Sequence, residues 1–489
     1  MKEISTLIKQ MKPSGIREFF DYASERPDIV SLGVGEPDFI TPKPIIDAAK
    51  KSLEEGKTFY TSNQGLPILR KKISKYLYAR FQIPYNKDEI ILTAGSSQGI
   101  LAALMAIIDP GDEIIVTEPT YICYVPDIEM CGGKAVVIPL RKENEYKLTP
   151  DVLQKYITSK TKAIFLSYPN NPTGAIMTKE ELEAIVPIIL ANDLYVISDE
   201  IYAELTYGSK HCSIASFDGF KERTILVSGF SKAFAMTGWR LGYVCAPKAI
   251  LDQILKIQQY IMLSAPTAAQ YGAIAALDYC LSDVKNMVDE YNRRRIYLLK
   301  SFKDLGVECF DAKGAFYLFP SIKRFGMSSR ELCLKLLKEY NVLVVPGTAF
   351  GESGEGSIRI SYATSMERLE TFIEVTRKLM NRSQDEIPGS LFLSGRFSVT
   401  VDRFFPPMQI VPGTFSQIRK IILPKIPISA TIIRDSIQTA FHPHVPETVQ
   451  WFVRPLIYGN VLSPDQFKLA QSRRSCLRNK DVSTHRGHP

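Results

Sequence analysis

Five short runs rich in β-branched and apolar residues recur along the first half of the chain, at residues 89–93, 113–117, 163–167, 194–198 and 224–228. Segments of helical pattern separate them, and that alternation calls for a parallel or mixed α/β sheet. One crossover is explicit. Thr178 and Glu181 form a capping box, an apolar helix follows to about Ala191, and Asp193 leads into the strand LYVIS. A chain of 489 residues is well beyond the size at which a single core keeps growing, so at least two domains are expected. Leu369, Phe372, Ile373, Thr376, Leu379 and Met380 repeat at helical spacing, and the body is expected to close on that helix around Arg382.

From Ser383 onward the alternation fades, and 11 of the 30 prolines and 4 of the 5 histidines fall in these last 107 residues. The apolar stretch IILPKIPISATII is broken by Pro424, Lys425 and Pro427, which spoil it both as a membrane helix and as a central strand. We read 383–489 as an irregular tail, disordered, poorly packed or foreign to the rest of the chain. It carries 13 Lys and Arg against 7 Asp and Glu, so six of the eight net positive charges lie there. The body therefore shows no basic surplus that would suit nucleic acid. No run reaches the roughly 18 apolar residues of a membrane span, and the N-terminus mixes Lys and Glu unlike a secretory signal, so a cytoplasmic protein is expected. The eight cysteines are scattered singly, with no Cys/His cluster at metal-ligand spacing, which reads as reduced thiols and no metal site.

The chemistry concentrates in short stretches that follow the strands. SGFSKAFAMTGWRLG, directly after TILV, brings Lys232 and Arg240 eight residues apart with Ser231 beside the lysine. An isolated pair of this kind is most often a solvated lysine and a helix-face arginine. A pyridoxal-phosphate enzyme, however, needs a lysine that forms an imine with the cofactor and cationic and hydroxyl groups for its phosphate. ISDEIY ends a strand and presents Asp199 and Tyr202 at the carboxyl edge of the sheet, where open α/β folds bind ligands. There Asp199 would keep a pyridine nitrogen protonated and Tyr202 would donate to the ring oxygen. Taken singly, a helix cap and a core tyrosine are the commoner fates.

YPNNPTG is a turn by composition, yet Asn171 offers an amide to the ring oxygen and to a substrate carboxylate. LTAGSSQG runs from strand into helix, where Gly95, Ser96 and Ser97 can meet a phosphate. Tyr121 in EPTYICY can stack on a ring, although a lone tyrosine is usually core. Gly35 in SLGVGEPDF can bring bare backbone close to a bound acid, and the same stretch fails as a dinucleotide fingerprint because Pro37 follows at once. Arg359 in GSIRISYA sits among apolar neighbours, where a guanidinium needs an anion, and a bidentate carboxylate is the obvious one.

In this order, GVGEPDF, FYTSNQGLPILR, LTAGSSQG, EPTYICY, PNNPTG, ISDEIY, SGFSKAFAMTGWRLG, KGAFYLFP, VVPGTAFG and IRISYA resemble the class I pyridoxal-phosphate-dependent aminotransferases of fold type I, the aspartate and aromatic branch, over about residues 10–380. The resemblance implies a large domain at 45–279 whose mostly parallel sheet holds pyridoxal 5'-phosphate. It implies a smaller α+β domain built from 1–44 and 280–382, and a homodimer in which Tyr60 reaches the neighbouring subunit's phosphate. The substrates would be amino acids and 2-oxo acids, with aspartate or aromatic donors and 2-oxoglutarate as acceptor in ping-pong kinetics. Ile16, Tyr60 and Tyr121 would make the pocket mouth partly apolar. The same fold also hosts carbon-sulfur lyases, which release pyruvate and ammonia without an oxo-acid acceptor. A cofactor-sensing regulator would need a DNA-binding module, and no basic helix-turn-helix segment precedes residue 30.

Overall fold

The computed structural model describes residues 28–385, together with 2–11, 13, 15, 16, 19 and 26. Its strands are β1 (Val30–Ser31), β2 (Ile90–Thr93), β3 (Glu113–Glu118), β4 (Lys134–Pro139), β5 (Thr161–Ser167), β6 (Tyr195–Asp199), β7 (Thr224–Gly229), β8 (Gly242–Cys245), β9 (Tyr317–Leu318), β10 (Val342–Leu343), β11 (Val345–Pro346) and β12 (Ile358–Ser361). Seven of them form one sheet in the order β2-β8-β7-β6-β5-β3-β4. The run from β7 to β4 is parallel, and β8 is antiparallel to both β7 and β2. Strands β2, β3, β5, β6 and β7 thus point the same way and end on the same edge.

The central strands read as continuous apolar runs because both of their faces are covered. Along β5, Ala163 and Phe165 enter one core cluster while Ile164 and Leu166 enter another, as a period of two requires. The five runs read from sequence are β2, β3, β5, β6 and β7, with shifts of up to two residues. Glu89 belongs instead to a short 3-10 turn, Lys87–Glu89, capped by Asn86. The capping box forms as expected. Thr178 Oγ1 accepts from the Glu181 N–H at 3.3 Å, and Glu181 Oε2 accepts from the Thr178 N–H at 2.8 Å, at the head of the helix Lys179–Ala191.

A second group of strands forms the antiparallel order β11-β12-β9, and β1 pairs in parallel with β10. The N-terminal segment is thereby tied to residues more than 300 positions away. Phe302, on the helix Leu281–Leu305, meets Phe372 edge-to-face at 6.3 Å and joins that helix to the closing one, Met366–Asp385. The closing helix runs three residues past Arg382, around which the sequence places the close of the body. The hydrophobic repeat stops at Met380, and helix ends commonly run a few residues beyond such a repeat. No helix among the described residues is long and apolar enough to cross a membrane. The tail, including IILPKIPISATII, lies outside the described residues.

A chain ended after Asp385 is expected to keep the full-length protein's oligomeric state, melting temperature and turnover. A truncated product that is soluble yet inactive would assign the tail to the enzyme.

Candidate active site

Chain segments that leave the common carboxyl edge of the sheet converge on a cavity of about 580 Å³. Lys232, Asp199, Tyr202, Asn171, Ser231 and Arg240 line it, with Ser96, Ser97, Tyr121, Gly35, Arg359 and Ile16. All of these were singled out in the sequence. Gly95 does not line the cavity; it backs the wall. Its φ is +78°, and a Cβ there would lie 2.5 Å from an Arg240 guanidinium nitrogen, so a side chain would displace the cation. Tyr60 is not in the cavity of its own chain and stands 80% exposed.

The helix Gly95–Ile107 begins where β2 ends, so the positive end of its dipole and its free N–H groups face the cavity beside Ser96 and Ser97. Arg240 flanks it with φ +51°, a left-handed conformation that a long side chain adopts only where surroundings enforce it. Arg240 donates to the Thr237 carbonyl at 3.0 Å, and no carboxylate among the described residues pairs with it. An oxyanion group would complete this corner.

Asp199 ends β6 and is buried. Its Oδ2 accepts from the Tyr124 hydroxyl at 2.7 Å and its Oδ1 from the Ile201 N–H at 3.1 Å. Burial nevertheless pushes its pKa up to about 6, against the pull of those two donors. A ring N–H in the cavity would supply the charge-assisted partner that it lacks. Lys232 shows the opposite shift. Burial first, with the nearby Arg359 and Arg240 charges against the opposing effect of Glu36, lowers its amine to about 8, so a useful fraction is neutral near physiological pH. Its Nζ donates to the Gly35 carbonyl.

Arg359 is buried on β12, between the rings of Tyr317 at 4.6 Å and Phe350 at 4.8 Å. It donates to Asn171 Oδ1 at 3.0 Å and to the Gly33 carbonyl, while its Nε has no partner. Burial depresses its pKa, as expected of a guanidinium with neutral acceptors only. A carboxylate is the ligand this fork fits. Cations, an unpartnered Nε, an open helix N-terminus and a buried carboxyl together suit a planar cationic ring that carries a phosphate, so the donor set fits pyridoxal phosphate.

Sequence reasoning passed over Tyr124 and Tyr317. Both stood in quoted motifs, EPTYICY and KGAFYLFP, but only the fold shows the first bonded to Asp199 and the second against Arg359. Thr237 and Glu36, joined at 3.1 Å, were likewise invisible, because their positions are 201 residues apart. Among the described residues no group of His, Cys, Asp and Glu has the arrangement of a metal site.

A family model described as aminotransferase class I and II matches residues 27–375. The chain is similar to a putative aminotransferase of Bacillus subtilis strain 168, with 46% identity over 381 residues, 78% of this chain and 99% of the relative. It is similar to an aspartate aminotransferase of Pyrococcus abyssi at 43% over 385 residues, again 78% and 99%. A solved aromatic aminotransferase of Pyrococcus horikoshii superposes with a TM-score of 0.71 at 43% identity, covering 75% of this chain and 99% of that one.

Asp199→Asn tests the electrostatics without any ligand. The raised carboxyl pKa stabilises the fold below the unfolded value near 4, and that contribution is lost as pH rises through about 6. Above pH 7 the cofactor-free Asn variant is therefore expected to be more stable than wild type, by about 1–3 kcal/mol, with the gap closing toward pH 4. Paired melting curves from pH 4 to 8 check this, and a gap that does not vary with pH would refute it.

Proposed function

Because the chain belongs to the class I and II aminotransferases, with the fold type I architecture of their solved structures, we propose that it is an enzyme of pyridoxal 5'-phosphate that moves the amino group of aspartate or an aromatic amino acid to 2-oxoglutarate. One observation carries the reading. An amine lowered to about 8, a buried carboxyl and an arginine with a free Nε face the same cavity. Similarity to one relative named for aspartate and one named for aromatic substrates supports both donor classes.

When bound, the cofactor supplies an electron-withdrawing ring that stabilises negative charge at the substrate α-carbon. The residues divide the remaining work. Arg240, Ser96, Ser97, Ser231 and the Gly95 backbone hold the phosphate, and Tyr60 of a second copy reaches it. Asp199 holds a proton on the ring nitrogen, fixed in position by Tyr124. Tyr202 and Asn171 meet the ring oxygen, and Tyr121 covers the ring face. Arg359, with Asn171 and Gly35, binds the α-carboxylate, which orients the α C–H bond toward Lys232. The neutral amine of Lys232, once free, takes and returns the α-proton. A single active site that alternates between amino and oxo acids gives ping-pong kinetics.

A homodimer is part of this reading. Phe59, Tyr60 and Tyr260 are 81%, 80% and 93% exposed, and Asn63 and Thr267 hydrogen bonds lace their two segments together into one apolar surface. So is the division into 45–279 and a small domain of 1–44 with 280–382, supported by the β1–β10 pairing.

Lys232→Ala is expected to lose turnover by several orders of magnitude while still binding the cofactor through the phosphate contacts. Borohydride should fix the cofactor on the wild-type lysine and leave the variant unlabelled; near-normal turnover of the variant would end the assignment. For substrates, a panel of amino donors with 2-oxoglutarate should give the highest kcat/KM with aspartate or an aromatic acid, and parallel double-reciprocal lines. Activity confined to alanine or branched-chain donors would contradict the donor choice and leave the transaminase standing.

A further inference from the structure

Tyr317 has no role in the reading above, yet it touches three of its parts. Its hydroxyl lies 2.7 Å from that of Tyr202. Its ring carries the Arg359 guanidinium at 4.6 Å. A Cβ on Gly35 would sit 2.6 Å from its oxygen, so the bare glycine is what lets the hydroxyl occupy this place. The sheet fixes the arrangement. Tyr317 on β9 stands opposite Ser361 on β12, and Arg359, two residues before Ser361, is its diagonal neighbour on the same face.

We propose that Tyr317 is a positioning residue for the transamination: its hydroxyl donates to Tyr202 and so turns the single Tyr202 proton toward the cofactor's ring oxygen. The strength of that donation depends on whether Arg359 holds a substrate carboxylate, and this links the carboxylate site to the ring. The inference rests on the cofactor reading above and adds to it a route between two of its contacts.

Donor direction follows from counting protons. A tyrosine hydroxyl has one proton, so if Tyr202 gives its own to a ligand, its contact with Tyr317 must be one it accepts. Burial pushes both phenols up, and both hydroxyls keep their protons at neutral pH. The Arg359 charge opposes that rise in each, and it lies directly on the Tyr317 ring, which makes Tyr317 the better donor. Accepting a hydrogen bond polarises the Tyr202 O–H and strengthens its own donation. A carboxylate on Arg359 cancels the charge and weakens the relay. The other charged or titratable groups around the pair are Lys232, whose ammonium is 5.9 Å from the Tyr202 ring centroid, Tyr121, which faces both phenols, and Tyr291 on the far side of Phe316.

The test is a spectrophotometric pH titration of the visible cofactor band in the holoenzyme, with and without 3-phenylpropanoate as an unreactive carboxylate. Tyr317→Phe keeps the ring under Arg359 and removes the hydroxyl. It is expected to raise the midpoint of the free enzyme by about 0.5–1 pH unit, the size of one neutral hydrogen bond. The further shift caused by 3-phenylpropanoate should shrink by about half. In a Tyr202→Phe background the same substitution should add nothing. 3-Fluorotyrosine at position 317, nearly identical in shape and a stronger donor, should move the midpoint the other way, and it serves if the Phe variant fails to fold. Unchanged midpoints, or additive effects of the two Phe substitutions, would overturn the proposal. A wild-type protein with no visible band would overturn the cofactor reading itself, and the relay with it.

Discussion

The main chain between Gly33 and Gly35 offers carbonyls to two cationic side chains of the cavity, Arg359 and Lys232. The Gly33 carbonyl accepts from Arg359 and the Gly35 carbonyl accepts from Lys232, so neutral oxygens stand where a salt bridge would otherwise be needed. Much of the surrounding structure serves to hold that segment. β1 pairs with β10 just before it, and the Leu32 carbonyl accepts from Ser361 at 2.7 Å. Asp38 just after it takes both of its contacts from Arg294 at 2.9 Å. Thr41 bonds to the Ala235 carbonyl at 2.6 Å and to the Trp239 ring N–H at 3.0 Å, which laces the segment to the loop that carries Lys232. Were an acidic side chain to replace these carbonyls, it would neutralise the amine or the guanidinium and leave neither free for a ligand.

The same logic explains why the two pKa values approach each other. Burial raises Asp199 and lowers Lys232, so each is nearer to its neutral form than in water. Ionising either group here carries a cost unless an opposite charge lies beside it. Ligand charge relieves it. The stability given up in the cavity is therefore recovered as binding energy, and the large apolar cores on the two faces of the sheet make the loss tolerable.

The fold was legible where local rules agree with the global result. Four of the five apolar runs are inner strands of the large sheet and the fifth, β2, lies at its edge, and the Thr178 capping box starts a helix; each is a property of a few adjacent residues. β4 escaped because it lies at the sheet edge, where half-exposed residues blur the pattern, and β8 because it is only four residues long. The site was legible as a set of motifs and not as a geometry. Lys232, Asp199 and Arg359 stand in separate motifs, and the fold brings all three to one cavity. Tyr124 and Tyr317 were not, since their partners lie 75 and 115 residues away in sequence. Tyr60 stands exposed, away from the cavity of its own chain.

The bond between Arg359 and the Gly33 carbonyl spans 326 residues. During synthesis Lys232, Asp199 and the helix that opens at Gly95 leave the ribosome long before β12 does, so the carboxylate fork is among the last parts of the cavity to exist. Domains form progressively as the chain emerges at roughly 5–20 residues per second, and the interval between Lys232 and Arg359 amounts to about 6–25 seconds. For that time the nascent chain holds Lys232 and the corner at Gly95 without Arg359. The order of residues along the chain thus leaves the wall that carries Arg359 to be built after the rest of the cavity.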